Sequence, residues 1–385
     1  MMPSQIVKEL DKFIIGQTDA KKSIAIALRN RYRRQRVSEG LREEIVPKNI
    51  LMIGPTGSGK TEIARRIAKL HKSPFVKVEA TKYTEVGFHG KDVDTIIQDL
   101  AEAGIELTKQ SLIQKFKQRM KKHIDRKIIK IMLSGSSNTV DEENYKAMLE
   151  SGALENSLIE YDIPKKSKFL GEVVLSSLLH PKPKTAYDGK PNKKKKHPLH
   201  VVRKFLEEEL FDRLVSEDDI KSYALQIVQN DGIVFIDEID KICNRGDYLR
   251  TTASDEGVQR DLLPIIEGTN VSTKYGNIDT SKILFIASGA FHDTKPSDLL
   301  PEFQGRLPIR VQLKPLALED FYRILTGTEN SLIKQQIELM KTEGINLSFT
   351  DGAIREIATI CFELNQNIEN IGARRLHTVM YVVIQ

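Results

Sequence analysis

The chain has 385 residues, and its 59 lysines and arginines against 53 aspartates and glutamates leave a formal net charge of only +6. With 40% hydrophobic and 29% charged residues, the composition excludes wholesale disorder, a collagen-like repeat and a small disulfide-stabilised fold. Two cysteines, Cys243 and Cys361, are too few for a four-ligand zinc site. The sequence has neither a signal-peptide pattern nor an apolar run of the roughly 20 residues of a membrane span, which predicts a cytoplasmic protein with no membrane partner.

The first hundred residues alternate between helix and strand patterns. Ile24, Ala27, Leu28 and Tyr32 recur at helical spacing, which predicts an amphipathic helix. The short apolar run at residues 50–53 ends in a glycine, as buried parallel strands do, and residues 75–78 form a second candidate strand. These patterns predict an α/β core with a parallel sheet.

A phosphate-binding motif follows the first strand, since residues 54–61 fit the pattern G-x-x-x-x-G-K-[ST]. Its glycines let successive backbone N–H groups surround phosphate oxygens without Cβ clashes. Lys60 reaches the β- and γ-phosphates, and the Thr61 hydroxyl ligates Mg²⁺. A helix beginning near Lys60 adds its positive N-terminal end. The strand–loop–helix context therefore predicts a site for ATP and Mg²⁺.

The middle of the chain has a different character. Leu112, Phe116, Met120, Ile124 and Ile128 form one apolar stripe on a basic segment, which predicts a long amphipathic helix. Nine lysines and arginines lie between residues 109 and 130, and four lysines occupy residues 193–196. Basic runs contact nucleic acid or are merely solvated, and the lack of interleaved aromatic residues favours the solvated interpretation.

A second amphipathic helix carries Val202, Phe205, Leu206, Leu210 and Leu214. Strand-like core runs lie on both sides of this middle region, so we interpret residues 107–225 as a largely helical inserted domain. It separates residues 1–106 from residues 226–315 of the core. From residue 316 to 385 the pattern is helical again, with apolar positions from Phe321 to Leu339, and predicts a small C-terminal domain.

A second acidic motif follows Gly232. An apolar run at residues 233–236 delivers Asp237 and Glu238 at its C-terminal end. Asp237 is predicted to hold Mg²⁺, directly or through water, and Glu238 to polarise the attacking water as general base. A further apolar run, residues 283–287, ends at Ser288, which is either a γ-phosphate sensor or an ordinary serine at a strand end.

Long strings of this sequence resemble the HslU (ClpY) family of AAA+ unfoldases. The similar strings are residues 14–17, 47–54, 78–82, 232–243, 256–264, 287–291, 304–310 and 370–379. The resemblance covers nearly everything except the middle of the insert. The ClpX family is the nearest alternative, but its four-cysteine zinc module needs more cysteines than this chain has.

The resemblance implies a P-loop AAA+ core that assembles as a homohexameric ring, with nucleotide between neighbouring subunits. Arg306 resembles the arginine finger that reaches a neighbour's γ-phosphate, for which a fixed charge is suited. Without the resemblance, Arg306 and Arg374 would each be interpreted as members of surface salt bridges. The implied nucleotide contacts are Ile15, Gly57, Ser58, Gly59, Lys60, Thr61, Glu62, Asp237, Glu302 and Arg374.

The family's pore loop corresponds to Gly87, Phe88, His89 and Gly90. Phe88 keeps the aromatic side chain that grips a threaded polypeptide, whereas His89 replaces the usual valine with a titratable group. HslU proteins continue for several dozen residues beyond the point where this sequence stops. The resemblance therefore implies a truncated C-terminal domain that lacks the tail docking into the peptidase.

Four functional hypotheses follow. The leading one is an ATP-driven unfoldase, not itself a peptidase, that translocates unfolded or tagged proteins into an HslV-type peptidase. A nucleic-acid motor or clamp loader would show DNA-stimulated, salt-sensitive ATPase activity, but we do not expect nucleic acid as a partner. A P-loop kinase that phosphorylates a small molecule would form ADP only with its substrate and without oligomerisation, and the Asp237–Glu238 pair together with Arg306 argues against it. The fourth is an ATP-dependent assembly switch that activates no peptidase.

Overall fold

The computed structural model of the chain describes residues 1–45, 48–83, 91–133, 146–149, 151, 154, 157–161, 196–243 and 253–384. They form two compact units, one of residues 1–107 with 222–385 and the other of residues 108–221. The four-part division predicted from the sequence stays a prediction. Within the described ranges, no helix is both long and apolar enough to cross a membrane.

The named strands of the described residues are β1 (Ile50–Ile53), β2 (Phe75–Glu79), β3 (Leu158–Glu160), β4 (Lys196–Pro198), β5 (Ile233–Asp237), β6 (Asn270–Thr273), β7 (Gly276–Asp279), β8 (Leu284–Gly289) and β9 (Ile309–Gln312). The named helices are α1 (Pro3–Asp11), α2 (Thr18–Arg34), α3 (Glu39–Glu44), α4 (Lys60–His71), α5 (Thr95–Leu133), α6 (Leu199–Leu214), α7 (Glu217–Asp231), α8 (Ala253–Glu267), α9 (Pro301–Arg306), α10 (Leu318–Gly327), α11 (Leu332–Thr342), α12 (Asp351–Asn367) and α13 (Arg374–Ile384).

A five-stranded parallel sheet with the order β2-β5-β8-β1-β9 forms the centre of the first unit. Glu79 lies opposite Asp237 across the β2–β5 pair, and Met52 lies opposite Ser288 across the β1–β8 pair. This register brings the carboxyl ends of β1, β5 and β8 to one edge. The predicted α/β core with a parallel sheet is confirmed.

Both faces of this sheet are buried, which explains why its central strands are continuous apolar runs. In β5, Ile233 and Phe235 pack into one core with the apolar side of α4, whereas Val234 and Ile236 pack into a second core with residues of α5 and α8. All four side chains are at most 1% exposed. Alternate residues of one strand therefore serve two cores.

The helices flanking the sheet follow the predicted periodicity, with one exception in α2. Ile24, Ala27 and Leu28 are buried, but Tyr32 is exposed. The expectation that Tyr32 belongs to the apolar face was wrong. Its ring instead lies between the guanidinium groups of Arg29 and Arg36, 4.6 and 4.5 Å from the ring centroid, where cation–π attraction favours it.

The second unit contains the predicted basic helix, which is the later part of α5. Met120, Ile124 and Ile128 of its stripe are buried, and Asp125 forms an ion pair with Arg203 of α6 at 2.9 Å. Leu214, expected on the apolar side of α6, is half exposed at the end of that helix. The short antiparallel pair β3–β4 was not predicted.

Helices α10 to α13 enclose a separate apolar core at the end of the chain. Phe321, Leu325, Cys361 and Leu376 are buried within it. Leu339 does not join them, because its side chain is 59% exposed on α11. The expectation that Leu339 belongs to this core was wrong.

Candidate nucleotide-binding site

The loop between β1 and α4 has the backbone conformation that its glycines were expected to permit. Gly57 and Gly59 have φ angles of 72° and 103°, in the left-handed region that disfavours residues with a Cβ. Helix α4 begins at Lys60 immediately afterwards, so its unpaired N–H groups and positive end face the loop.

Lys60 lies buried inside this loop. Its Nζ donates hydrogen bonds to the carbonyl oxygens of Gly54 and Pro55, at 2.5 and 3.0 Å. Burial lowers the pKa of Lys60, the carboxylates of Asp237 and Asp240 oppose that shift, and the charge of Arg374 adds to it. Arg374 therefore lies close enough to Lys60 for their charges to interact.

Asp237, at the end of β5, is contacted by side chains from three other elements. Its carboxylate accepts hydrogen bonds from Ser288 Oγ of β8 at 2.5 Å and from Thr61 Oγ1 of α4 at 3.4 Å. Lys77 Nζ of β2 forms an ion pair with it at 3.0 Å. Thr61, Asp237 and Ser288 were predicted at one site and are brought together, whereas Lys77 was not predicted.

The charge state of Asp237 follows from these partners. Burial by itself would raise the pKa of Asp237, but the Ser288 hydrogen bond, the Lys77 ion pair and the Glu238 backbone N–H together lower it below the ordinary value. Asp237 is therefore held as a carboxylate, the form that binds a divalent cation.

Glu238 follows with an exposed side chain, and its backbone is in the left-handed conformation at φ 58°. A non-glycine residue adopts this conformation at a cost of about 1–2 kcal/mol, and such residues are common at functional sites. Its N–H donates to Asp237 Oδ1 at 3.2 Å. The local turn thus points one acid inward and leaves the next one open to solvent.

The residues of this loop fit a nucleotide triphosphate. Ser58 Oγ is buried and has no hydrogen-bond partner among the described residues, in a loop that also carries the Lys60 ammonium and the start of α4. Buried polar groups of this kind are normally satisfied, and phosphate oxygens at a helix N-terminus are suited to do so.

The residues also fit Mg²⁺ held jointly with a phosphate. The described residues contain no group of three or more histidine, cysteine or acidic side chains arranged to hold a metal by themselves. Thr61 Oγ1 and the Asp237 carboxylate adjoin each other, which matches the way Mg²⁺ is bound by few protein oxygens together with substrate phosphates and waters.

The predicted adenine contact, Ile15, is buried in the segment between α1 and α2. Its Cδ1 lies beside Gly327 at the end of α10. Two residues later, Gln17 donates to the Lys314 carbonyl at 2.8 Å and accepts from the Lys314 N–H at 3.0 Å. Glu62, in the first turn of α4, forms ion pairs with Arg65 and Arg66.

The loop before α13 packs directly on the phosphate loop, which sequence reasoning missed. The N–H of Ala373 donates to the Gly57 carbonyl at 3.1 Å. A Cβ at Gly57 would lie only 2.0 Å from the Ile371 oxygen, and one at Gly372 would lie 2.6 Å from Gly57 backbone atoms. Both positions therefore need glycine.

Buried Asn365 of α12 holds this loop. Its amide donates to the Gly372 carbonyl at 3.1 Å, and its oxygen accepts from Ile371 N and Arg375 Nε, both at 3.3 Å. The adjacent Arg374 is exposed at the start of α13. Asn365 thus holds the backbone directly before Arg374.

Arg306 and Glu302 are not brought to the phosphate loop by the contacts of the described residues. Both lie exposed on α9, where Arg306 Nε donates to Glu267 Oε1 of α8 at 3.0 Å. The predicted pore residues Gly87, Phe88, His89 and Gly90 lie outside the described residues.

Two family models match the chain. The AAA domain (Cdc48 subfamily) matches residues 126–310, and the ATPase family associated with various cellular activities (AAA) matches residues 50–131.

Full-length relatives match as well. The sequence is 49% identical to the ATP-dependent protease ATPase subunit HslU of Chelativorans sp. (strain BNC1), over 99% of this chain and 90% of that protein. It is 47% identical to the same subunit of Persephonella marina, over 100% of this chain and 90% of that protein. It is 49% identical to the subunit of Cereibacter sphaeroides, again over 100% of this chain and 90% of that protein.

Proposed function

The chain belongs to the HslU family, and from that premise we propose that it is a Mg²⁺-dependent ATPase whose ATP turnover drives the unfolding of proteins for a partner peptidase. The observation that carries this proposal is the convergence of Lys60, Thr61, Asp237 and Ser288 from two strands and one helix at a single edge of the sheet. The exposed Glu238 stands directly beside them.

The roles of these residues follow from their chemistry. The loop N–H groups, Lys60 and Ser58 bind the phosphates, while Thr61 and Asp237 hold Mg²⁺, which neutralises charge on the phosphates. Glu238 takes a proton from the attacking water, since its carboxylate is exposed and not engaged by Lys77. Ser288 and Lys77 keep Asp237 ionised and oriented.

Arg306 supplies its charge to the nucleotide of a neighbouring subunit. It is 45% exposed and pairs with Glu267 instead of with its own phosphate loop, so it is available to a second copy of the chain. A homohexameric ring closes such head-to-tail contacts. Glu302 lies on the same short helix and is proposed to reach the same nucleotide.

ATP binding and turnover of the assembled protein test these roles. We expect Lys60→Thr to abolish binding and Glu238→Gln to bind ATP without turnover. Arg306→Ala should bind ATP and lose turnover in the assembled state. If Arg306→Ala in that state turns over ATP at the parent rate, Arg306 does not act on a neighbour.

The substrates are proposed to be unfolded or tagged proteins, the partner an HslV-type peptidase and the location the cytoplasm. Curated relatives named as subunits of an ATP-dependent protease support the partner. Phe88, between Gly87, His89 and Gly90, is proposed to grip the threaded chain. Phe88→Ala should keep ATP turnover but lose unfolding of a folded fluorescent protein, and unchanged unfolding would remove Phe88 from that role.

A further inference from the structure

A wholly buried glutamine links the turn after Glu238, which is proposed to act on the subunit's own nucleotide, to helix α9, whose Arg306 is proposed to act on a neighbour's nucleotide. Gln259 of α8 is 0% exposed. Its Nε2 donates to the Ile242 carbonyl at 2.6 Å, and its Oε1 accepts from the Leu300 N–H at 2.9 Å. Packing alone would be served better by an apolar side chain, because a buried amide is unfavourable unless both of its ends are hydrogen-bonded.

Each bond ends on a backbone group with a defined place in the site. Ile242 closes the short 3-10 turn, Ile239–Ile242, that immediately follows Glu238. Leu300 is the residue before α9, the six-residue helix that ends at Arg306. Helix α8 also holds the far end of α9, through the ion pair between Glu267 and Arg306.

The two ends of this link are unequally fixed. The turn after Glu238 is anchored independently, because Ile239 and Ile242 are buried in the core and Asp240 accepts hydrogen bonds from Ala290 and Phe291. Helix α9, which ends at Arg306, has six residues, and of these only Phe303 is buried. Loss of the Gln259 bonds would therefore displace α9 more than it would displace Glu238.

We propose that Gln259 is a positioning residue that ties the Glu238 turn of one subunit to the arginine which that subunit offers to its neighbour. The proposal rests on the proposed function, specifically on the action of Arg306 in trans.

Mixed assemblies of two subunit types separate the two sides of the link. Donor subunits carry Glu238→Gln and offer an intact Arg306, while acceptor subunits carry Arg306→Ala and keep Glu238. Only an acceptor beside a donor turns over ATP. We expect Gln259→Met in the donors to lower kcat of the mixture at least about tenfold with KM for ATP unchanged, since displacement of about 1 Å has effects of that size.

Four variants make the result specific to the hydrogen bonds. Gln259→Glu in the donors should keep turnover, because a buried neutral carboxyl both donates and accepts. Leu300→Pro removes the N–H that Gln259 accepts and fits the φ of −52°, so it should reproduce the loss even if Gln259→Met misfolds. Leu300→Ala keeps this N–H and removes only the side chain that packs on the core, so it should keep turnover. Gln335→Met, on the exposed side of α11, is the matched control and should change nothing.

The outcomes separate this inference from its premise. If unmodified donors and acceptors restore no turnover, Arg306 does not act in trans, and the inference falls with that role. If they do restore turnover and both Gln259→Met and Leu300→Pro donors match them, the premise stands and the positioning role of Gln259 is wrong.

Discussion

The phosphate loop and the arginine helix α9 carry opposite ends of one proposed reaction, yet they are held in different ways. The phosphate loop is fixed by backbone against backbone, with Gly57 packed on Ile371 and Gly372 at distances that exclude a Cβ. Helix α9 is fixed by side chains, through Gln259 at its start and Glu267 at Arg306.

This difference matches the roles proposed for the two regions, one that holds phosphates and one that carries Arg306 toward a neighbouring subunit. Backbone packing tolerates almost no displacement, which suits N–H groups that are arranged around phosphate oxygens. The exposed ion pair between Glu267 and Arg306 adjusts at small energetic cost, which suits an arginine proposed to reach a neighbour's nucleotide. Substitutions in the phosphate loop and in α9 test this difference.

The largest expected effect comes from adding one methyl group to the phosphate loop. Gly57→Ala places a Cβ against the Ile371 oxygen at a residue with φ 72°, so we expect the free energy of unfolding to fall by at least about 3 kcal/mol and ATP binding to be lost. Denaturant unfolding and equilibrium ATP titration measure these losses.

Gly305→Ala is the control for that change within the other region. A Cβ at Gly305 meets no atom within 4 Å, and its φ is not positive. Stability should be unchanged or rise by up to about 1 kcal/mol, the usual gain for alanine in a helix. Equal losses at Gly57 and Gly305 would contradict the contrast between the two regions.

A smaller effect is expected at the residue that holds the loop before α13. Asn365→Leu removes three hydrogen bonds and leaves Gly372 and Ile371 backbone groups without them, so unfolding should cost about 2–3 kcal/mol less. The ATP dissociation constant should rise as Arg374 loses its position. Asn367→Leu, an exposed asparagine of the same helix, should leave both quantities unchanged.

The ion pair of the arginine helix should contribute little to stability. Glu267→Gln removes the negative charge that pairs with Arg306. Because both side chains are over a third exposed, we expect the free energy of unfolding to change by no more than about 1 kcal/mol. Denaturant unfolding of the parent chain and of Gly57→Ala gives the two reference values with which Glu267→Gln is compared. A loss as large as that of Gly57→Ala would mean that α9 is not adjustable.

The smallest expected effect concerns an exposed contact between α10 and α12 and is measured only as a pKa. The Tyr322 hydroxyl donates to Asp351 at 2.5 Å, and this bond, followed by Arg355, lowers the pKa of Asp351. A lowered carboxyl pKa adds stability above the ordinary pKa, and that stability is lost as pH falls through the folded value. Tyr322→Phe should raise the Asp351 pKa in an NMR titration; no change would refute the bond.

Local sequence patterns predicted the individual strands and helices better than they predicted which of these elements contact one another. The apolar runs of β1 and β5, followed by the glycine loop and by Asp237, were sufficient to place two strands and the carboxylate. Lys77 was missed because a lysine in an apolar strand looks like a solvated position until β2 is known to pair with β5. Strand order is a tertiary property that no window of the sequence contains.

The contacts of Gly57 and Gly372 were missed for a related reason. The two glycines are more than 300 residues apart, and the pattern around each explains its glycine locally, as a phosphate loop and as the turn before a helix. Only the assembled fold shows that they exclude a side chain from each other. For Tyr32 and Leu339 the sequence pattern predicted too much burial. Helical spacing places a residue on one face of a helix, but it does not show whether another element covers that position.

We propose that ATP turnover at this site drives the unfolding of protein substrates, which a partner peptidase then degrades. The most direct test combines the purified chain, a folded fluorescent protein and the HslV-type peptidase of the same source, with ATP or a nonhydrolysable analogue. We expect the folded protein to disappear only when ATP and peptidase are both present, and we expect Lys60→Thr to abolish this loss. Steady ATP turnover with the folded protein intact would contradict the claim.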